Sequence, residues 1–184
     1  MKRIAIIGCG GAGKSTFARR LGPMLDLTVY HLDGLFWRPG WTETPRDEWA
    51  ALQRELVTRP QWVIDGNYGG TMPIRLEAAD TIIFFDFPRL LCTWRVIKRV
   101  LLYRGRTRPD VAAGCPERFD PDFLKWIWTY RDRRRPGILT LLEEYAPGRR
   151  IVSLRSPGEA ESLLRQLATT PQEHHAPGLS HPRI

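Results

Sequence analysis

Five short segments of the chain are dominated by apolar residues with little polar alternation. They are residues 3–7, 27–32, 62–65, 81–86 and 150–154. Continuous apolar runs of this length are typical of strands that are covered on both faces. We therefore predict a buried, mainly parallel sheet of five strands.

Between these segments, apolar residues recur three or four positions apart, as they do on one face of an α-helix. In residues 88–103, Leu90, Trp94 and Leu101 share an apolar face, while Arg95 and Arg99 fall on another. Further helices are expected to begin at residues 13, 44, 120, 138 and 159, with residue 44 as an N-cap. Strands that alternate with helices predict a three-layer α/β fold with right-handed crossovers.

Length and composition indicate one globular domain, residues 1–170, in a chain of 184 residues. Residues 171–184 are rich in Pro, His and Gly, and we expect a disordered tail there. No stretch approaches the roughly 20 apolar residues that span a bilayer. The apolar run at residues 4–7 is too short for a signal peptide, so a cytoplasmic protein without membrane partners is predicted.

Cysteine and histidine usage disfavours several kinds of chemistry. Cys9, Cys92 and Cys115 lie far apart with no CxxC pair, unlike a disulfide framework or a structural zinc site. Three of the four histidines fall in the tail, and His31 alone lies in the body of the chain. The sequence therefore does not favour histidine-based catalysis.

A glycine-rich loop follows the first predicted strand and fits the pattern GxxxxGK[ST] at every fixed position. In such a loop, backbone N–H groups turn toward a phosphate and the next helix directs the positive end of its dipole at it. Lys14 would bridge the β- and γ-phosphates, and Ser15 would ligate Mg²⁺. The residues expected to bind ATP are Gly8, Gly10, Gly11, Ala12, Gly13, Lys14, Ser15 and Thr16.

Aspartates stand at the carboxyl ends of three predicted strands, on the edge of a parallel sheet where ligands bind. Asp65 ends an apolar strand and precedes Gly66, an arrangement that predicts a magnesium ligand together with Ser15. Asp33 is the candidate for contact with the acceptor and for a catalytic base. Asp86 fits a helix cap better.

These motifs resemble the adenylate-kinase-like group of P-loop kinases over about the first 155 residues. Within that group they are similar to the subgroup usually labelled topology modulation protein. The matching blocks after the phosphate loop are Asp33…Phe36-Trp37…Gly40-Trp41, Val63-Ile64-Asp65-Gly66-Asn67-Tyr68 and Trp126-Ile127-Trp128. The resemblance implies a P-loop NTPase fold and a kinase that uses ATP and Mg²⁺.

The resemblance also implies two functional segments. Residues 36–59 would be an acceptor-binding insertion, in which Trp37 and Trp41 could stack on a flat or apolar group. Residues 104–120 would be an arginine-bearing lid. One departure concerns the residues after Gly66, where adenylate kinases carry an aromatic residue, proline and arginine. This chain has Asn67-Tyr68-Gly69-Gly70, and Arg75 is the next guanidinium that could serve an acceptor.

The excess positive charge is confined to residues 89–135, which contain 13 Lys/Arg and 5 Asp/Glu. Such a concentration indicates one polyanion site. An arginine that reaches the transferred phosphoryl group can raise its rate by about 10³–10⁵-fold. Arg95, Arg104 and Arg131 are the arginines expected to act in catalysis, with Lys14, Asp33 and Asp65.

Two functions fit this pattern. The first is a kinase that transfers the γ-phosphoryl group of ATP to a small acceptor. The alternative is an NTP-dependent nucleic-acid-binding protein that affects DNA topology, although no helix-turn-helix, RRM or KH signature is present. Salt separates them, because nucleic-acid affinity falls steeply between about 50 and 200 mM salt. The ordered motifs favour the kinase.

Overall fold

A computed structural model describes residues 1–169, so the predicted tail at 171–184 lies outside the described residues. The helices and strands follow in this order: β1 (Arg3–Gly8), α1 (Lys14–Met24), β2 (Val29–His31), α2 (Leu32–Phe36), β3 (Trp37–Arg38), β4 (Thr42–Glu43), α3 (Arg46–Val57), β5 (Trp62–Asp65), α4 (Met72–Ala78), β6 (Thr81–Phe85), α5 (Arg89–Tyr103), α6 (Pro121–Arg133), α7 (Arg135–Tyr145), β7 (Arg150–Leu154) and α8 (Pro157–Thr169).

The main sheet has five parallel strands in the order β2-β5-β1-β6-β7, and these are the five strands that the apolar runs predict. The central strand β1 pairs with β5 on one side and β6 on the other. Residues 4–7 of β1 are fully buried, as continuous apolar runs require. The predicted α/β class, with a mainly parallel five-stranded sheet, is confirmed.

Helices cover both faces of this sheet. Helices α1 and α8 pack against each other, and they contact β5 and β7 respectively. Helix α4 contacts β1 and also packs on α3 and α7, while α6 joins α5 to α7. The three layers place the carboxyl ends of β1, β2 and β5 at one edge, beside the start of α1.

Helix α5 buries a different face from the one that its apolar residues indicate. Leu90, Trp94 and Leu101 are 68%, 61% and 71% exposed, whereas Cys92 and Val96 are buried. The buried face is the one that contacts the glycine-rich loop and α6. Periodicity identified two faces of this helix, but their polarity did not show which one packs inward.

Two capping predictions at helix starts were wrong. Helix α3 has Pro45 at its N-cap, and the Thr44 hydroxyl instead donates to the carbonyl of Phe36 at 2.6 Å. Asp86 caps no helix, because its carboxylate accepts two hydrogen bonds from Arg135, each of 2.7 Å. The start of α6 follows prediction, since the Asp120 side chain accepts from a backbone N–H in the first turn.

Among the described residues, no helix combines the length and apolarity needed to cross a membrane.

Candidate active site

The glycine-rich loop connects β1 to α1 and presents the start of that helix at the edge of the sheet. Gly11 and Gly13 have φ of 76° and 97°, in the left-handed region that favours glycine. A Cβ on Gly11 would also collide with the carbonyl oxygen of Cys92 in α5. Gly13 caps α1 without a side-chain hydrogen bond, so the first N–H groups of the helix remain available to an anion.

Two cations are fixed on the backbone of this loop. Lys14 Nζ donates to the carbonyl of Cys9 at 2.9 Å, so its ammonium lies across the mouth of the loop. Arg95 Nη1 donates to the carbonyl of Ala12 at 3.0 Å, from helix α5. Both charges therefore lie beside the positive end of α1, where phosphate oxygens would add to the same field.

A chain of polar side chains joins the loop to the strands on one side. Ser15 Oγ donates to Asp65 Oδ2 at 2.7 Å, and the other oxygen of Asp65 is in hydrogen-bond contact with Nδ1 of His31. Asp65 is 3% exposed, and a buried carboxylate requires hydrogen-bond partners such as these. The structure thus brings together the serine and aspartate that the sequence assigns to magnesium.

His31 is a member of this site that sequence reasoning missed. Burial lowers the pKa of His31, but the hydrogen bond and charge of Asp65 outweigh burial and raise it above the usual 6.5. The only available signal was position, because His31 ends a predicted strand at the ligand edge of the sheet. A single histidine among strand residues gives no reason to expect such a pairing.

Asp33 lies in the cleft and is oriented by the loop after β5. The Tyr68 hydroxyl donates to Asp33 Oδ1 at 2.7 Å. Burial raises the pKa of Tyr68, and the charge of Asp33 raises it further, so the phenol remains a donor. Asn67 supports the same loop, since its side-chain oxygen accepts from the N–H of Gly8 at 2.9 Å.

Arg75 is not placed to serve an acceptor. Its side chain is fully buried, and Nη2 donates to the carbonyls of Gly66 and Asn67 at 3.2 and 2.7 Å. The other terminal nitrogen contacts the side-chain oxygen of Gln53. Burial lowers the pKa of Arg75 to about 9. This guanidinium holds the loop after β5 from behind.

A cleft of about 1290 Å³ runs from the glycine-rich loop to the hairpin formed by β3 and β4. At the hairpin end its wall is aromatic, and neighbouring rings meet edge to face: the Phe36 and Trp37 centroids are 4.9 Å apart, and those of Trp37 and Trp41 are 5.4 Å apart. Asp33 and Glu43 line the same end. Trp37 and Trp41, which the sequence places in a predicted acceptor insertion, both line this end of the cleft.

The three arginines expected in catalysis do not share one location. Arg95 lines the cleft, whereas Arg104 and Arg131 are exposed and lie outside its lining. Arg104 terminates α5 at its exposed end. Tyr130 and Arg133 of α6 line the cleft and are three residues apart, so they lie on one side of the helix. Arg131 follows Tyr130 directly and is therefore rotated by about 100° around the helix axis from it. Arg104 and Arg131 thus lack the contact that their predicted roles need.

Arg99 and Arg108 line the cleft instead, and carboxylates of segment 104–120 neutralise them. Glu117 is 5% exposed and lies 2.8 Å from Arg99 Nη2 and 2.7 Å from Arg108 Nε. Asp110 lies 2.7 Å from Arg108 Nη1. Burial lowers the pKa of Arg99, partly offset by Glu117. Residue counts include these carboxylates, but they do not show which arginines the carboxylates contact.

Segment 104–120 rests on the β3–β4 hairpin. The N–H of Gly40 donates to the carbonyl of Gly114 at 2.9 Å, and Trp41 Nε1 donates to the carbonyl of Pro116 at 3.1 Å. The Arg118 guanidinium lies 5.5 Å from the ring centroid of Trp41. The two segments that the sequence assigns to acceptor binding and to a lid therefore meet across the cleft.

The fold and the glycine-rich loop together define a P-loop NTPase fold. No protein-family model and no curated protein sequence matches the chain. Among solved structures it is similar to shikimate kinase from Acinetobacter baumannii in complex with shikimate, with a TM-score of 0.54 and 16% identity over 91% of this chain and 90% of that chain. It is also similar to shikimate kinase from Bacteroides thetaiotaomicron, with a TM-score of 0.51 and 18% identity over 90% of this chain and 95% of that chain. The chain thus has the fold of shikimate-kinase-like P-loop kinases, and at these identities the similarity extends to the fold alone.

Proposed function

We propose that this protein is an ATP-dependent kinase that transfers the γ-phosphoryl group to a small acceptor. One observation carries the proposal: a phosphate loop and an aromatic-walled pocket open into the same cleft. A binding protein for ATP alone has no need of the second compartment, whereas a kinase must hold donor and acceptor in line. The fold similarity to shikimate kinases supports this function.

At the nucleotide end, Lys14 and Arg95 would pair with phosphate oxygens and stabilise the charge that spreads over them during transfer. Ser15 and Asp65 fit Mg²⁺, because they place a hydroxyl and a carboxylate oxygen 2.7 Å apart beside the loop. Residues 1–169 contain no group of three or more His, Cys, Asp or Glu able to hold a metal. An ion held here would therefore depend on phosphate and water for its remaining ligands, which is usual for Mg²⁺. When bound, it would neutralise phosphate charge.

At the acceptor end, Asp33 is the candidate base for a hydroxyl acceptor. Its carboxylate lines the cleft, and the hydrogen bond from Tyr68 fixes its orientation. We further propose that segment 104–120 acts as a lid, since closure over the cleft would exclude water from the transferred group. Membership of the topology modulation subgroup remains a proposal that rests on the sequence blocks.

A coupled assay of ADP release tests the function, over a panel of nucleosides, nucleotides and common metabolites with Mg²⁺ present. We expect acceptor-dependent ADP release that exceeds the background hydrolysis of ATP. The matched control is Lys14→Ala, which should abolish the signal in a folded protein. Binding to duplex DNA that falls steeply between about 50 and 200 mM salt, with no acceptor-dependent release, would instead support the nucleic-acid function.

A further inference from the structure

The acceptor end of the cleft carries negative charge and aromatic surface. Asp33 and Glu43 both line it, together with the rings of Phe36, Trp37 and Trp41. A phosphate or carboxylate on an acceptor would enter beside these two carboxylates. Both carboxylates would repel an acceptor anion there unless a cation lay between them.

The sequence offers the Arg75 guanidinium for such an anion, but Arg75 makes its hydrogen bonds outside the cleft. Arg75 is 0% exposed and donates to the carbonyls of Gly66 and Asn67. Breaking these contacts would leave buried carbonyl groups without hydrogen-bond partners, which destabilises a folded protein. Arg75 therefore cannot turn into the cleft without loss of the loop that it supports.

The guanidiniums of Arg99 and Arg108 are also committed. Glu117 contacts both of them, and Asp110 contacts Arg108. Arg19 also lines the cleft, and its Nη1 lies 3.7 Å from the other oxygen of Asp110. Arg118 has no carboxylate partner within the described part of the chain, and it lies over the face of Trp41. Among the described arginines at this end, Arg118 is thus the one without a carboxylate partner, and it lines the same cleft as Asp33 and Glu43.

We infer that the acceptor of this kinase carries no phosphate or carboxylate group. It is an uncharged or cationic hydroxyl compound whose flat or apolar face packs against the aromatic wall. Aromatic faces attract cations and bind apolar rings, but they provide nothing for an anion. This inference rests on the proposed kinase function and restricts its substrate class. It excludes nucleoside monophosphates and organic acids.

The transfer step then follows from the groups present. The acceptor O–H gives its proton to Asp33, and the hydroxyl oxygen forms a bond to the γ-phosphorus of ATP. The bond between that phosphorus and the β–γ bridging oxygen breaks, and ADP leaves with the electron pair. A phosphate acceptor would need no base, so a base at Asp33 is consistent with a hydroxyl acceptor.

The experiment uses matched pairs of compounds that differ mainly in charge. Adenosine is paired with AMP, and the methyl ester of shikimate with shikimate. Binding to the full-length protein is measured by calorimetry with ADP and Mg²⁺ present, and turnover is measured with MgATP. We expect the uncharged member of at least one pair to bind at least about tenfold more tightly than its anionic partner.

A charge variant makes this test independent of which compound binds best. Glu43→Lys should reduce the preference for the uncharged member, because it replaces a repulsive carboxylate with a cation. The matched control Glu144→Lys makes the same change on an exposed position of α7, and it should leave the preference as in the wild type. An unchanged preference in Glu43→Lys, or equal shifts in both variants, contradicts an electrostatic origin.

Different results would refute the inferred substrate class and the proposed kinase function. Tighter binding or faster turnover of AMP or shikimate overturns the inference and leaves a kinase. Binding of no member of either pair, while MgATP binds, also overturns it, since an open aromatic pocket must accept a ring-bearing alcohol. Failure to bind MgATP, or the absence of acceptor-dependent ADP release over the wider panel, refutes the kinase function itself.

Discussion

The two ends of the cleft lie along the same edge of the sheet but are lined by groups of different chemistry. At the nucleotide end, backbone N–H groups, Lys14 and Arg95 concentrate positive charge around a loop of glycines. At the acceptor end, aromatic rings and carboxylates surround a pocket in which Arg118 has no carboxylate partner among residues 1–169. The first end is defined by backbone geometry and the second by side chains. Substitutions at the two ends should therefore have different kinetic effects.

The comparison also explains why charge along the chain is a poor guide to charge in the cleft. The excess positive charge falls within residues 89–135, yet Asp110 and Glu117 neutralise two of the arginines that line the cleft. Arg104 and Arg131 point their charge to the surface. Arg95 is left with a direct contact to the phosphate loop.

The largest effect is expected at the nucleotide end, for Lys14→Ala. No other ammonium lies on the loop, and the substitution removes a charge that must pair with the β- and γ-phosphates. We expect turnover to fall by at least about 10³-fold, and ATP binding to weaken in parallel. Rates from the coupled assay and calorimetry with ATP measure these losses. Lys98→Ala, at an exposed position of α5, is the control. Transfer at the wild-type rate by folded Lys14→Ala protein would overturn the assignment of the loop.

Asp65→Asn should have the next largest effect. The change keeps the shape of the side chain, so the Ser15 contact survives, but it removes the charge that Mg²⁺ would need. We expect at least about a tenfold loss of magnesium-dependent rate, equivalent to about 1.4 kcal/mol of transition-state stabilisation. The dependence of rate on Mg²⁺ concentration measures this effect. A wild-type dependence would transfer the role to another carboxylate of the cleft, Asp33 being the first to test.

The sequence was most informative where backbone geometry determines the structure. The five strands, the glycine-rich loop and the pairing of Ser15 with Asp65 follow from apolar runs and from a motif whose spacing has a physical cause. The contacts of Arg75 and Glu117 join residues 8 to 22 positions apart in different elements and loops, and no local pattern encodes them. The exposed apolar face of α5 was missed for the same reason, because the orientation of a helix is set by its neighbours.

Arg95→Ala and Arg104→Ala form a matched pair that tests the placement of the arginines. Both remove one guanidinium from neighbouring parts of the basic segment, but only Arg95 contacts the phosphate loop. We expect the turnover number to fall by about 10- to 100-fold in Arg95→Ala and by less than about twofold in Arg104→Ala. Steady-state kinetics of both variants provides the measurement. A larger loss in Arg104→Ala would mean that segment 104–120 moves Arg104 into the site during catalysis.

The smallest effect is expected at the acceptor end, for Trp41→Ala. Its indole packs edge to face on Trp37, donates to the carbonyl of Pro116 and lies under the Arg118 guanidinium. The substitution removes part of the aromatic wall without touching the phosphate loop, which lies at the other end of the cleft. We expect the KM for the acceptor to rise about five- to tenfold, while the KM for ATP changes by less than about twofold. Trp128→Ala is the matched control, because Trp128 also lies under an arginine guanidinium but is outside the cleft lining. Equal changes in both KM values would show that the two ends of the cleft are coupled through segment 104–120, and the division of the cleft into independent ends would then be wrong.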